Sequence, residues 1–259
     1  MNEFKATFLG TGTSQGIPVI ACNCEVCLSD NPKDKRLRTS LMLTIDGRNI
    51  VIDTGPDFRQ QMLREQVQTL DAVLFTHEHK DHISGMDDIR AFNFRAKIPM
   101  EIYASNLVEI GLKREFHYVF GDFNYPGIPQ VNLNRIGDEP FTVLGEKIIP
   151  INVLHYKLPV KAFRVRDFSY VTDANFIADE EMEKLKGTKY LVVNALRKTE
   201  HISHFNLEQA LELIETIGPE KAYLTHLSHL MGKEEDVSKE LPKNVVIAHD
   251  GLAINLNEV

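Results

Sequence analysis

Cysteine is scarce in this chain: three residues in 259, all between Cys22 and Cys27. An odd number set so closely excludes the paired framework of a small disulfide-rich domain and fits a metal-holding loop in a reducing compartment. Long apolar runs are missing as well. Nothing approaches the about 20 residues that a membrane-spanning helix needs. The segment Met1-Asn2-Glu3-Phe4-Lys5 lacks the charged and apolar regions of a secretory signal, so a cytoplasmic location is expected. Positive charge is in deficit, with 29 Lys and Arg against 37 Asp and Glu and a formal net charge of -8. That balance argues against a general basic surface for nucleic acid, so nucleic acid and membrane are not expected partners. It leaves anionic substrates open, because bound metal reverses the local charge. Internal repeats and low-complexity linkers are also absent. The composition, 43% hydrophobic and 25% charged, is that of an ordinary globular protein with enough length for a sizeable core.

Histidine, by contrast, is concentrated. Of 10 in the chain, three fall in Thr76-His77-Glu78-His79-Lys80-Asp81-His82, together with the carboxylate of Asp81. The run follows Asp71 to Phe75, which reads as a buried strand, so the cluster sits on a loop at a strand end, where α/β folds keep their chemistry. Side chains alternate with period two on an extended segment, so His77 and His79 aim the same way and the adjacent Asp81 and His82 do not. Two neighbouring metal ions satisfy that pattern, one held mainly by the first pair and the other by the second. Further candidates close apolar strands in the same manner: His155 after Ile151-Asn152-Val153-Leu154, Asp173 after Ser169 to Thr172, and His226 after Ala222 to Thr225.

The remaining chain reads as strand-rich blocks interleaved twice with helices. Strands are expected over 4–9, 39–45, 49–53, 99–104, 190–196 and 221–225. Hairpins are expected around Gly145, around Arg166-Asp167 and through Asp250-Gly251. Helices are expected over 57–67, 84–96 and 106–120, and from a capping box at Asn206 to Gly218-Pro219. Residues 121–129 read as a loop. Gly10 to Gly16 reads as a flexible loop able to approach a ligand, or as a plain strand-exit turn. Lys33 to Arg38 reads as a solvated basic face. Asp53, at the end of a strand, either buttresses the histidine loop or caps the following helix. His117 and His249 read as structural.

The order His77-x-His79-x-Asp81-His82, then His155, Asp173 and His226, resembles the metallo-β-lactamase superfamily over nearly the whole chain. The resemblance implies one domain over 1–259 with an α/β, four-layer αββα sandwich: two mixed β-sheets packed face to face with helices outside. It also implies that His77, His79 and His155 hold one active-site metal, that Asp81, His82 and His226 hold the other, and that Asp173 bridges them. Histidine at position 79 resembles the hydrolytic branch. A narrower resemblance rests on Gly10-Thr11-Gly12-Thr13-Ser14, Ile17-Pro18 and Cys22-x-Cys24-x-x-Cys27. It is to phosphodiesterases that open 5-phosphoribosyl 1,2-cyclic phosphate, and it implies a structural zinc in the loop at about 20–30, on Cys22, Cys24, Cys27 and His229. In those enzymes a histidine at the place of His204 assists proton transfer.

The expected activity is metal-dependent hydrolysis of a small, cyclic phosphodiester. Two ions, zinc or manganese, would share a hydroxide that attacks phosphorus while His204 protonates the leaving oxygen. Competing readings are an endoribonuclease of the tRNA 3′-processing type and a non-hydrolytic metal-binding protein of cofactor biosynthesis. The sequence leaves the oligomeric state open, a homodimer included.

Overall fold

A computed structural model describes residues 3–121 and 125–257. Of the expected loop 121–129, residues 122–124 lie outside the described residues. The chain divides into two compact units, one formed by 1–9, 40–137 and 253–259, the other by 10–39 and 138–252.

The first unit is built on a mixed sheet. Its strands are β1 (Phe4–Gly10), β2 (Ser40–Ile45), β3 (Arg48–Ile52), β4 (Ala72–Leu74), β5 (Met100–Ala104) and β6 (Val131–Arg135), hydrogen-bonded in that order, with the last strand of the chain, Ala253–Asn255, on the outer side of β1. β2 and β3 are antiparallel about the Asp46-Gly47 turn. β3, β4, β5 and β6 are all parallel, which sends their carboxyl ends the same way. Ile52 is paired with Leu74, so Asp53 leaves the sheet beside the start of the histidine loop. Phe58, Phe75, Ile83, Met86 and Ile89 pack with Val51, Val73 and Ile102 into this unit's core.

The second unit carries the other mixed sheet. Its strands are β7 (Phe141–Val143), β8 (Glu146–His155), β9 (Leu158–Val165), β10 (Phe168–Val171), β11 (Phe176–Ile177), β12 (Tyr190–Asn194), β13 (Lys221–Thr225) and β14 (Val245–Ile247). The order is β11-β8-β9-β10-β12-β13-β14, with β7 on β8. The expected hairpins about Gly145 and Arg166-Asp167 are present. β10, β12, β13 and β14 are parallel, so Asp173 and His226 both follow strands that end at one edge. The helix Leu207–Ile217 buries Leu207, Ala210, Leu213 and Ile214, spaced at the helical period. It starts in a reciprocal Asn206–Gln209 capping box and stops at Gly218, whose φ of 66° is left-handed.

Four expectations need correction. Residues 245–256 are not a hairpin: β14 pairs with β13, and Ala253–Asn255 pairs with β1 in the other sheet. The Asp250 carboxylate, instead of closing a two-strand turn, accepts from Thr11 N, Thr11 Oγ1 and Leu37 N. The helix expected over 106–120 is broken at Phe116 (φ -118°, ψ 43°) into Asn106–Glu115 and His117–Phe120. The helix expected over 84–96 is a 3₁₀ turn, Met86–Ile89, leading into Arg90–Ala96. Finally, Arg36 is buried rather than solvated, its guanidinium donating to Thr11 Oγ1 and Ala248 O.

Candidate metal centre

In the first unit, His77 is buried and its ring lies 4.6 Å from that of His79 and 4.1 Å from that of His82, centroid to centroid. Asp81 Oδ2 is 3.3 Å from His82 Nε2. Asp53 fixes how these rings face. Its carboxylate, fully buried, accepts from Thr76 N at 2.8 Å, Thr76 Oγ1 at 2.7 Å and His82 Nδ1 at 2.7 Å. A carboxylate only accepts, so His82 carries its proton on Nδ1 and offers Nε2 to a ligand. The Thr76 hydroxyl donates its proton to Asp53 and therefore accepts from His77 Nδ1, 3.0 Å away. His77 is thereby set to offer Nε2 too. Asp53 is a buttress, and the helix after it begins at Phe58 without a side-chain cap. Burial pushes the Asp53 carboxyl pKa up, against His82 and Thr76, whose hydrogen bonds favour the ionised form.

In the second unit, ligand atoms of His155, Asp173 and His204 lie within 4.8 Å of one another. Asp173 Oδ1 is 3.2 Å from His204 Nε2, and Oδ2 is 3.2 Å from His226 Nδ1. The His204 ring stacks on His226 at 4.9 Å and meets His155 edge-on at 4.5 Å. His155 Nδ1 donates to Ser203 O at 2.8 Å, which leaves Nε2 as its ligand atom. Thr13 Oγ1 is 3.2 Å from His226 Nε2. The Gly10–Gly16 loop is consequently not slack: Thr11 is fully buried, and Gly12 pairs with both Arg38 and Leu227. Asn194 grips the backbone next to Asp173, its amide accepting from Ala174 N and donating to Ala174 O.

Asp53, Asp173 and His226 share one feature. Each follows a strand with φ of 55–65°, in the left-handed region that costs a residue with a Cβ about 1–2 kcal/mol. Strain of that kind persists where the surroundings over-determine it, and here it turns three functional side chains off the sheet edges.

A second cluster stands on its own in the second unit. Cys22, Cys24 and Cys27 place their sulfurs 3.3, 3.3 and 3.7 Å from His229 Nδ1. Those separations match the about 3.5 Å edge of a tetrahedron with metal bonds of about 2.0–2.3 Å. The Cys27 amide N–H bond lowers the Cys24 thiol to about 6, helped by His229, while burial raises Cys27 to about 11. Val26 and Ile17 are the little apolar core of this loop, which has few other means of holding its shape.

Such a histidine and carboxylate set, with His77, His82 and His155 turned by hydrogen-bond partners, is the chemistry that divalent metal requires. The family model "Beta-lactamase superfamily domain" matches residues 48–227. This chain belongs to the metallo-β-lactamase superfamily. Within the superfamily it is similar to a solved "New Diphosphatase from the PhnP Family", at 38% identity, with a TM-score of 0.92 over 98% of this chain and 97% of that one. It is 39% identical over 98% of its length to an octanoyltransferase of Porphyromonas gingivalis, and it spans only about half (52%) of that protein. A ribonuclease Z of Clostridium kluyveri is 22% identical, over 89% of this chain and 96% of that one. Within the metallo-β-lactamase superfamily this chain is thus similar to the PhnP family.

His117 and His249 stand apart from both clusters, the latter with Nδ1 3.2 Å from Asp250 O. The residues that sequence reasoning did not single out are the orienting ones: Thr13, Thr76, Asn194 and Ser203. Thr76 abuts His77, Ser203 abuts His204 and Thr13 lies in the Gly10–Ser14 motif, so Asn194 is the one of the four without a local signal. Among the described residues, no helix is long and apolar enough to cross a membrane.

Proposed function

We propose that this chain is a dinuclear phosphodiesterase for a small phosphodiester, cyclic ones included. In this reading His77, His79 and His155 hold one divalent ion, Asp81, His82 and His226 hold the second, and Asp173 serves both. Cys22, Cys24, Cys27 and His229 hold a structural zinc. The ions, when bound, supply Lewis acidity that neutralises phosphate charge and acidifies water. The protein's own part is to hold His77, His82 and His155 in the ligating tautomer, through Asp53 and Ser203 O. His204, buried and 3.2 Å from Asp173, protonates the departing oxygen.

The observation that carries the reading is that 38% identity to a PhnP-family diphosphatase runs over 98% of the chain. Because that relative is a diphosphatase, a second reading is cleavage of a phosphoric anhydride. The two differ in the leaving group. An alkoxide leaves poorly and depends on an acid; a phosphate leaves readily and depends on one far less. The test is turnover of a cyclic phosphodiester, bis(p-nitrophenyl) phosphate and a P–O–P diester by wild type and by His204→Ala, with added manganese or zinc. We expect the alkoxide-leaving substrate to lose about 10²-fold or more, the usual size of a general-acid contribution. Unchanged turnover of that substrate in His204→Ala refutes the assignment. Preferential anhydride cleavage selects the second reading. Binding of tRNA in a gel shift would favour a ribonuclease Z-like role over both.

A further inference from the structure

Two helices of the first unit, Phe58–Arg64 and Arg90–Ala96, leave an open slot of about 280 Å³ between them. Its inner wall is apolar. Phe58 and Met62 are buried there, and the Phe58 and Phe92 rings meet edge-on at 6.4 Å between centroids. Asp88, Ala91, Phe92 and Arg95 stand at i, i+3, i+4 and i+7, so the turn Met86–Ile89 and the helix after it turn one face toward the slot. Ala91 keeps that face open, because its methyl leaves unfilled the space that a leucine or phenylalanine would take.

Charge distinguishes this slot from an ordinary packing gap. Two guanidiniums line it, those of Arg59 and Arg95. Arg95 Nη1 donates to Gln68 Oε1 at 2.9 Å, a neutral acceptor that leaves its charge uncompensated. Among the described residues Arg59 makes no hydrogen bond or ion pair. Arg64, Arg90, Arg114 and Arg135 of the same unit are each paired with a carboxylate. Asp88 is the one carboxylate of the lining, so one positive charge is in surplus. A guanidinium fork matches a carboxylate through two parallel hydrogen bonds. Methylenes gain by leaving water for the apolar wall beside it. The volume lies at the lower end of small-molecule sites, about 300–1,000 Å³, which admits one chain and not a helix or a two-chain lipid.

We propose that this slot binds a single-chain aliphatic carboxylate, its chain along Phe58, Met62 and Phe92 and its carboxylate on Arg59 and Arg95. The site lies outside the metal centre and owes nothing to the phosphodiester reading above.

The experiment titrates the full-length protein with hexanoate, octanoate and decanoate, followed by calorimetry and by ¹H–¹⁵N amide shifts. We expect one-to-one saturation, with affinity rising about 3- to 4-fold per added methylene, the increment of a buried CH₂. Amide shifts should centre on residues 58–68 and 88–95. Octylamine, with a chain of the same length and the opposite charge, should bind at least about 5-fold more weakly than octanoate, and Arg59→Gln should weaken octanoate by up to about 5-fold, the size of a good exposed ion pair. Ala91→Trp, at an exposed helix position, fills the slot and should abolish binding. Should that variant not fold, the octylamine comparison and Arg59→Gln decide by themselves. The proposal is overturned if decanoate shows no saturable binding, if octylamine binds as tightly as octanoate, or if folded Ala91→Trp binds decanoate as wild type does. Self-association of the chain that covers the same amides overturns it as well, by showing a second copy to be the occupant. Turnover of phosphodiesters has no bearing on any of these outcomes, so this proposal and the proposed function fail separately.

Discussion

Asp53 offers the sharpest prediction, because removing its carboxylate and merely neutralising it should have different effects. In Asp53→Ala, three buried donors lose their acceptor together: Thr76 N, Thr76 Oγ1 and His82 Nδ1. Each orphaned donor costs about 1–3 kcal/mol, and the losses are not additive, so about 3–5 kcal/mol is expected, as for breaking a buried charged pair. Asp53→Asn keeps an acceptor for Thr76 N but points an amide N–H₂ at His82 Nδ1. His82 then accepts there and carries its proton on Nε2, the atom needed for ligation. The stability loss should be smaller, about 1–2 kcal/mol for the exchanged bonds. The loss of metal affinity should be at least the 10- to 100-fold seen when an outer partner of a metal histidine is lost. Urea unfolding with and without chelator measures the first quantity, and zinc titration by calorimetry the second. Asp53→Asn protein that binds zinc as wild type does would refute the tautomer argument, as would Asp53→Ala protein that unfolds within about 1 kcal/mol of wild type.

Three other outcomes follow from the same reasoning. Gly85→Ala would put a Cβ 2.1 Å from Gly55 O and 2.7 Å from Phe58 Cβ, so backbone must move; a loss of about 3 kcal/mol or more in chemical denaturation is expected. Glu109 is held at about 2 by its bonds to Arg135 and then Lys113. A depressed carboxyl stabilises above its unfolded value, near 4.5, and that contribution is lost as pH falls through about 2. Glu109→Gln should therefore be less stable by about 1 kcal/mol at pH 7, as for exposed pairs, with the difference vanishing by about pH 2 in acid-denaturation curves. Cys24→Ser should lower the zinc content of purified protein, measured by elemental analysis, and raise the proteolytic sensitivity of residues 17–30; unchanged content and protection would exclude a zinc held there.

What could be read from the sequence was what local chemistry encodes. The strands ending in His155, Asp173 and His226 announce themselves by apolar runs that stop abruptly at a ligand type. The Cys22–Cys27 spacing needs no partner to be noticed. The failures have a common cause. Arg36 sits in a basic run that looks solvated, but its acceptor on Ala248 is 212 positions away. The Asp250-Gly251 turn has hairpin chemistry, yet its carboxylate is committed to Thr11 and Leu37, and the flanking strands join different sheets. The break at Phe116 is decided by packing rather than by the local helical pattern, whereas β6 does carry a local signal, the alternation Val131-Asn132-Leu133-Asn134, which the expected strands do not include. Thr13 reaches His226, 213 positions away, and Asn194 grips Ala174, 20 positions away and next to Asp173; the local sequence shows neither partner.

His226 and His229 lie on one short turn, and that spacing bears on how preparations of this protein behave. A soft, sulfur-rich cage retains its ion through dialysis that would strip a nest of imidazoles and carboxylates. Under the ligand assignment given above, material carrying a single zinc equivalent would be well ordered around this turn and catalytically inert. Occupancy therefore has to be apportioned cage by cage before any specific activity is compared between batches.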